Sequence, residues 1–281
     1  MPLIFPRLIW SSLAVALLVG TVQTGVQRWQ AAPIILAAEV YEEQKSEAPA
    51  PVTAPVAASV AAPAQAVAVQ QPVLVVESAH EHGTAKEWEP ENGAERIGWT
   101  WVANMLHAFS MALLVFAVMG VWRYQRGTAL TAPQLAACVA AAGWLSFHLW
   151  PTLGLPAEVP GMEAAPLHAR QLWSVLAVGS AAAACALLGF VTAKWRWPAA
   201  AVLLVLPFAV GSPQLQGDSL AGYSPEAHAA LEQLLKQFFW ATTWVALSFW
   251  FSMALACGQV FQRWLQPVLV ASFTAGKLEA V

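Results

Sequence analysis

Hydrophobic and polar positions divide the chain into six long uncharged runs separated by polar segments. Five of these runs reach the roughly 20 residues that an α-helix needs to cross a hydrocarbon core of about 30 Å. The alternation therefore predicts a polytopic membrane protein made of helices. In chain order the runs are Leu8–Gln27, Ile97–Trp122, Leu130–Trp150, Gln171–Ala193, Trp197–Val210 and Gln237–Phe261.

The fifth run decides how many spans the chain has. It is short, with Pro198 at its start and Pro207 near its end. A segment of this length either crosses the bilayer tilted or enters it and returns within the protein. We predict an all-α transmembrane helix bundle with six spans, or five if the fifth run is re-entrant.

Composition excludes several classes of protein. The 281 residues are 58% hydrophobic and 10% charged, whereas soluble domains carry about a quarter charged residues. Three cysteines without a CxxC pair indicate neither a disulfide framework nor a zinc cluster. There is no phosphate-binding GxxxxGK[ST] loop, and no nucleophile–base arrangement stands out. We therefore expect no enzyme, no nucleic-acid partner and no permanently bound cofactor.

The first run and the loop after it set the domain boundaries. We assign residues 1–30 to the first span, with a cleaved signal peptide as the alternative. Residues 31–96 form an extracytoplasmic loop, and its Ala/Pro-rich part, Ser46–Gln71, is typical of a disordered spacer. The remaining chain gives a five-helix membrane bundle over residues 97–262 and a cytoplasmic tail over 263–281.

Charge placement gives the orientation. With both termini in the cytoplasm, the inner loops and termini together hold seven of the 13 basic residues, and every acidic residue except Glu279 lies outside. This predicts a multi-pass protein of the inner membrane, with the bilayer as its lipid partner. Tryptophans flank most spans, as expected at membrane interfaces.

A polar stripe runs along the second span. Thr100, Asn104, His107 and Met111 follow one another at spacings of four, three and four residues, so they share one helical face. Polar groups facing lipid are costly, so we expect this face to meet other helices or a path for a polar solute. His107 is the sharpest candidate, and a histidine that only packs against another helix is its alternative.

Further histidines fall on or near the predicted outer side. His80 and His82 lie among glutamates in the first loop, His168 and His228 lie in later loops, and His148 ends the third span. Imidazole and carboxylate suit borderline divalent ions such as Co²⁺, Ni²⁺ or Zn²⁺. His228 and Glu232 are four residues apart, which allows two ligands but also fits an exposed helical turn.

The order of motifs resembles the CbtA family, which is described as the larger membrane subunit of a proposed cobalt transporter. The specific part is the stretch Gly154-Leu-Pro-Ala-Glu158-Val-Pro-Gly161, followed by Ala169-Arg170-Gln171-Leu-Trp173. Supporting pieces lie before and between the spans. They are Pro33–Glu42, Asn92–Arg96, His148–Pro151, Leu206-Pro207 and Gly211–Pro213.

The resemblance implies a function and several site residues. It implies divalent cobalt uptake tied to cobalamin supply, with a small single-span, histidine-bearing partner called CbtB. The positions it implies are His148, Glu158, Arg170 and the pair Glu95-Arg96. Phe208 stands where many members of the family carry histidine, and the Ala/Pro spacer is an addition.

These observations lead to one main hypothesis and two alternatives. We expect Co²⁺ or Ni²⁺ to be captured by outer histidines and glutamates, and to move inward past the stripe from Thr100 to Met111. No carboxylate lies within a span, so the membrane potential is the simplest driving force. The alternatives are a haem protein with His107 and His148 as axial ligands, or a non-conducting scaffold for a partner subunit.

Overall fold

The computed structural model describes residues 4–47 and 90–278. Within these ranges the chain is helical and contains no strand, so the all-α prediction is confirmed there. The helices are α1 Ile4–Gln30, α2 Ala32–Glu47, α3 Ala94–Arg126, α4 Ala132–Trp144, α5 Trp150–Gly154, α6 Leu167–Phe190, α7 Arg196–Val210, α8 Pro225–Val260 and α9 Gln266–Leu278. The predicted disordered spacer and the pair His80 and His82 lie outside the described residues.

Four helical stretches in the described part of the chain are long and apolar enough to cross a membrane. They are Ile4–Gln30, Ala94–Arg126, Leu167–Phe190 and Pro225–Ser272. They contain the first, second and sixth predicted spans and most of the fourth, whose helix ends at Phe190 rather than at Ala193. The fifth predicted span, α7, has 15 residues and is a shorter apolar helix. The structure supports the helix bundle, and the count of six spans stays a prediction.

The third predicted span is helical but interrupted by a π-helical turn at Leu145–Leu149 between α4 and α5. Here the Trp150 N–H donates to the carbonyl five residues back, at Leu145. The next residue is Pro151, which has no N–H to offer the preceding turn. A second π-helical turn, Phe261–Leu265, joins α8 to α9 and is followed in the same way by Pro267. The first of these turns places His148 on an irregular part of the helix.

The main core is formed by α1, α3, α4 and α8. Small residues let these helices approach closely, which is how helices associate in membranes. At Gly20 of α1, an added Cβ would lie 3.0 Å from the Met105 backbone of α3. Val15, Ala16 and Val19 of α1 are fully buried in this core. In the structure α1 is therefore an integral part of the main core.

The pair α6 and α7 packs beside the core rather than inside it. Two indole N–H groups attach α7, since Trp150 donates to the Leu204 carbonyl and Trp173 to the Pro207 carbonyl, each at 3.0 Å. The Phe208 ring lies edge-on to both indoles. Phe208 therefore has a packing role at the position noted above for histidine in related sequences.

A second, smaller core forms what we call the cap: α2, the loops 155–166 and 211–224, and the first turns of α8. Its buried centre consists of Ala38, Val159, Leu220 and Leu231. Residues 31–96 are predicted to be a loop, whereas Ala32–Glu47 form the helix α2.

The last long helix begins at a serine N-cap and is longer at both ends than the predicted span Gln237–Phe261. The Ser224 hydroxyl accepts the Ala227 N–H at 3.2 Å, with proline at the first helical position. From there α8 runs unbroken for 36 residues, which is about 54 Å at 1.5 Å per residue. The chain then stays helical to Leu278, so the helix does not end at Phe261 and the segment assigned to the tail is helical over its described part.

Candidate functional site

A cavity of about 820 Å³, which we call the main cavity, lies between α1, α2, α3, α8 and the first π-helical turn. Its walls are mostly apolar side chains of α2 and α8. The polar lining comes mainly from α1, α3 and the π-helical turn. These polar residues are Gln23, Thr24, Gln27, Arg28, Asn92, Arg96, Thr100, His107, His148 and Thr242.

The polar stripe of α3 divides between the cavity and its walls. Thr100 and His107 line the cavity. Asn104 is 7% exposed and lies against α1, and Met111 packs against the apolar core. The stripe therefore contacts α1 at Asn104 and lines the cavity at Thr100 and His107. Its last member, Met111, lies in the apolar core.

Asn104 fixes the position of two α1 side chains. Its amide nitrogen donates to the Thr24 hydroxyl at 2.9 Å and to the Gln27 carbonyl at 2.7 Å. The Thr24 hydroxyl in turn donates to the Gly20 carbonyl within α1. We call Gln23, Thr24, Gln27 and Asn104 the amide cluster. The members on α1, which are Gln23, Thr24 and Gln27, were not predicted as site residues. The four-residue spacing from Gln23 to Gln27 was a usable signal.

The two histidines predicted within spans line the same cavity from different elements. The His107 ring of α3 lies 5.0 Å from the Phe249 ring of α8, centroid to centroid. His148 lies on the π-helical turn, 6.2 Å from the Trp144 ring. The structure thus brings together two imidazoles that are 41 positions apart in the chain, each held beside an aromatic ring.

Arg96, which lines the cavity, forms an ion pair that the sequence did not predict. Arg96 donates to both carboxylate oxygens of Glu39 from α2, at 3.1 and 2.5 Å, and to the Asn92 side chain at 2.7 Å. Glu95, the other member of the predicted pair, accepts the Glu91 backbone N–H. Arg96 therefore pairs with a residue of another helix, whereas Glu95 accepts a hydrogen bond at the start of its own helix, α3.

Glu158 and Arg170 form an ion pair away from this cavity. Arg170 of α6 donates to the Glu158 carboxylate of the cap at 2.6 Å, and both side chains are about one-third exposed. Glu158 also lines a second cavity, of about 470 Å³, with Glu163 and Lys236. The pair connects the cap to α6, so its contribution to the main cavity is indirect.

The remaining described histidines lie outside both cavities. His168 is exposed on the first turn of α6. His228 Nε2 lies 3.3 Å from Asp218, and its Nδ1 lies 3.7 Å from Glu232, as the four-residue spacing allows. The pKa of the Asp218 carboxyl is lowered, chiefly because the Leu220 backbone N–H donates to it and further because His228 is close.

The lining of the main cavity contains no negatively charged side chain. It holds two imidazoles, amides, hydroxyls and two guanidinium groups, those of Arg28 and of Arg96, which is paired with Glu39, and it includes no carboxylate. Among the described residues, no group of three or more His, Cys, Asp or Glu side chains could hold a metal ion. Such a lining suits brief contact with a polar or cationic solute rather than permanent binding.

Comparison with known proteins identifies a family that the sequence matches. The sequence model of the family described as "Probable cobalt transporter subunit (CbtA)" matches residues 5–262. Neither the curated proteins nor the solved structures contain a match to this chain.

Proposed function

Because the chain belongs to the CbtA family of probable cobalt transporter subunits, we propose that its main cavity is the entry route for Co²⁺ into the cell. Membership of a transporter subunit family also argues against an enzyme. The observation that carries the proposal is the meeting of His107 and His148 with Thr100 in one cavity. Imidazole binds Co²⁺ and Ni²⁺ readily, and the two histidines come from separate helices.

In this proposal the ion is first concentrated by the acidic outer segments. The outer loops hold His80, His82, His168 and His228 together with most carboxylates. Their attraction is screened over about 8 Å at physiological salt, so it raises the local concentration of the ion without fixing it. Capture is spread over many groups, and no single outer residue is indispensable.

The ion then enters the cavity past the Arg96–Glu39 pair. Glu39 neutralises the arginine with two hydrogen bonds, so Arg96 adds little net positive charge at the mouth. His107 and His148 offer exchangeable ligands beyond it. No carboxylate lines the cavity, so the ion is held weakly enough to leave, which conduction requires.

The membrane potential is the proposed driving force. Two positive charges gain about 4.6 kcal/mol per 100 mV, at about 2.3 kcal/mol per charge. The proposal places the protein in the inner membrane with both termini in the cytoplasm, supplying cobalt for cobalamin. A transporter subunit implies a partner, which we propose to be the small CbtB-like, single-span protein.

Uptake of ⁵⁷Co²⁺ by cells expressing this chain with its partner tests the proposal. We expect His107→Ala and His148→Ala each to lower the initial rate by about tenfold, which corresponds to about 1.4 kcal/mol. His168→Ala is the matched control, since it removes an exposed histidine outside the cavity. Unchanged uptake in both cavity variants would refute the route. Competition by Ni²⁺ in the same assay measures selectivity.

Haem binding is the alternative that the same geometry serves, because both proposed axial histidines line one cavity. An absorption spectrum of the purified protein decides between the two functions. A Soret band that is lost in His107→Ala would favour haem over ion passage.

The second alternative is a scaffold that transports nothing itself. Uptake of ⁵⁷Co²⁺ by proteoliposomes that contain this chain alone is the measurement that decides against it.

A further inference from the structure

The two ends of the helix bundle differ in charge. One end is formed by the start of α1, the ends of α3, α6 and α8, and the start of α7. Arg7 of α1 donates to the Trp264 carbonyl there, which joins the start of α1 to the end of α8. The ion pairs of the described residues all involve side chains of the opposite end. The described segments of the basic end, which contain no Asp or Glu, are 4–12, 119–135, 186–202 and 254–278.

Two arginines of the basic end meet where α6 ends. Arg126 of α3 donates to the Phe190 carbonyl at 2.9 Å. Arg196 of α7 donates to the Val191 carbonyl at 2.6 Å and to the Leu188 carbonyl at 3.3 Å. The three acceptors lie close together in the chain, so both guanidinium groups are held at the same helix end. Arginine commonly satisfies the last carbonyls of a helix, so capping accounts for these bonds.

Capping leaves most of the N–H donors of these guanidinium groups unused. Each guanidinium has five N–H donors, and the bonds to α6 use a single nitrogen of each residue. The Arg196 Nε is buried and has no hydrogen-bond partner in the described part of the chain. A buried donor of a charged group is costly to leave without a partner. A negatively charged acceptor is therefore the group that this site requires.

Tryptophans indicate that the arginine pair lies at the level of the lipid headgroups. Arg126 lies over the Trp122 ring, 5.9 Å from its centroid, and Arg196 lies over the Trp197 ring at 5.2 Å. Trp195 and Trp197 flank Arg196 in sequence and are 57% and 61% exposed. Exposed indoles beside basic residues are typical of a membrane interface. The helices α3 and α6, whose ends carry the site, are both long and apolar enough to cross a membrane.

We propose that Arg126 and Arg196 bind the phosphate of an anionic phospholipid at the basic end of the bundle. A guanidinium offers paired N–H donors that match phosphate oxygens, and stacking on an indole leaves these donors accessible. Lys194 is exposed in the same link between α6 and α7 and adds to the attraction. This site goes beyond the proposed function, because it concerns a structural lipid and lies at the end of the bundle opposite the cap.

Binding of phosphatidylglycerol to the purified chain in detergent, counted by native mass spectrometry, tests the site. We expect Arg126→Gln and Arg196→Gln each to raise the half-saturating lipid concentration by about fivefold, which corresponds to about 1 kcal/mol per basic residue. Arg263→Gln is the matched control, because it removes an exposed arginine of the same end, on the second π-helical turn. An equal loss in Arg263→Gln would mean that positive charge attracts lipid without a defined site, and would overturn the proposal.

Two further ligands identify which part of the lipid is recognised. Phosphatidylcholine carries the phosphate without a net charge, and inorganic phosphate carries the charge without acyl chains. We expect phosphatidylglycerol to raise the unfolding temperature of the wild type by about 3 °C, and the other two ligands to leave it unchanged. Equal stabilisation by inorganic phosphate would assign the site to a soluble anion. Equal stabilisation by phosphatidylcholine would remove the role of charge, and either result contradicts the proposal.

Thermal stability without lipid separates a lipid site from a helix cap. If the two arginines only cap α6, the glutamine variants unfold at a lower temperature but bind phosphatidylglycerol as the wild type does, and the proposal fails. Arg126→Lys and Arg196→Lys keep the charge and so test the site even where a glutamine variant does not fold. We expect the lysine variants to bind phosphatidylglycerol about threefold more weakly than the wild type, since lysine lacks the paired donors. Wild-type affinity in both lysine variants would contradict recognition by guanidinium.

Discussion

At the scale of single residues, Asn104 shows how the membrane-embedded polar groups are satisfied. Both of its amide hydrogens reach α1, one to Thr24 and one to Gln27. Replacement by leucine leaves two acceptors without their donor, which costs about 1–3 kcal/mol in a buried setting. We predict that Asn104→Leu lowers the unfolding temperature in detergent, as followed by tryptophan fluorescence.

A double-mutant cycle identifies the cause of that loss. Gln27→Leu removes one of the stranded acceptors, so the pair Asn104→Leu and Gln27→Leu should cost less than the sum of the single changes. We expect a coupling of about 1 kcal/mol for residues in direct contact. Additive effects would show that Asn104 stabilises the protein by packing alone.

The ion pair at the cavity mouth gives a second residue-scale prediction. Glu39→Ala removes the carboxylate that pairs with Arg96 on the proposed path of the ion. The pair is about one-third exposed, so screening by solvent limits the effect. We expect the half-saturating Co²⁺ concentration to rise by about two- to fivefold, and Arg96→Ala in the same chain to restore it. A shift of the same size in Glu163→Ala, a carboxylate of the cap, would argue against a local charge effect.

At the scale of elements, the two π-helical turns share one sequence rule. Each is followed, after a single residue, by proline: Trp150-Pro151 in one case and Gln266-Pro267 in the other. A proline cannot donate to the carbonyl four residues before it, and the helix accommodates this with a wider turn. In the first case the wider turn carries His148 to the cavity.

Restoring the missing donor should move that histidine. We predict that Pro151→Ala keeps or raises the unfolding temperature, because alanine suits a helix interior, but lowers ⁵⁷Co²⁺ uptake by about tenfold. Pro267→Ala is the matched control at the turn that lies away from the cavity. Normal uptake by Pro151→Ala would show that the irregular turn does not position His148.

The cap depends on one glycine. Gly161 has φ of 79°, and a Cβ there would collide with the Tyr223 hydroxyl, which donates to the Gly161 carbonyl. We predict that Gly161→Ala destabilises the protein by about 2 kcal/mol or more through strain and the lost hydrogen bond. Tyr223→Phe removes the hydrogen bond alone and should cost about 1 kcal/mol. Equal unfolding temperatures for the two variants would exclude the steric part.

Sequence patterns determined the elements better than their arrangement. Uncharged runs predicted the positions of α1, α3, α6 and α8, because a bilayer imposes both length and composition on a spanning helix. The helix α2 was missed because its acidic end resembles a polar loop. The role of Glu39 was missed because its partner, Arg96, is 57 positions away. Periodicity showed that Thr100 to Met111 share a face, but not that Asn104 contacts α1 between two residues, Thr100 and His107, that line the cavity.

At the scale of the whole molecule, the proposed import direction depends on which side of the membrane the cap occupies. We predict that phosphatase fusions in the loop 155–166 are active outside the cytoplasm and that fusions after Arg126 are not, as the placement of basic residues suggests. Fluorescent protein fusions at the same positions should report the opposite pattern. A cytoplasmic cap would turn the cavity mouth inward and contradict uptake by this route.

The uninterrupted length of α8 has a mechanical consequence. Leu231 lies in the cap core, Phe249 beside His107 and Cys257 in the main core, so one helix contacts all three regions. A straight helix of about 54 Å does not bend locally without a break in its hydrogen bonds. A tilt of α8 that widens the cavity must therefore also displace the other end of the helix. Movements at the two faces of the protein are thus coupled through α8.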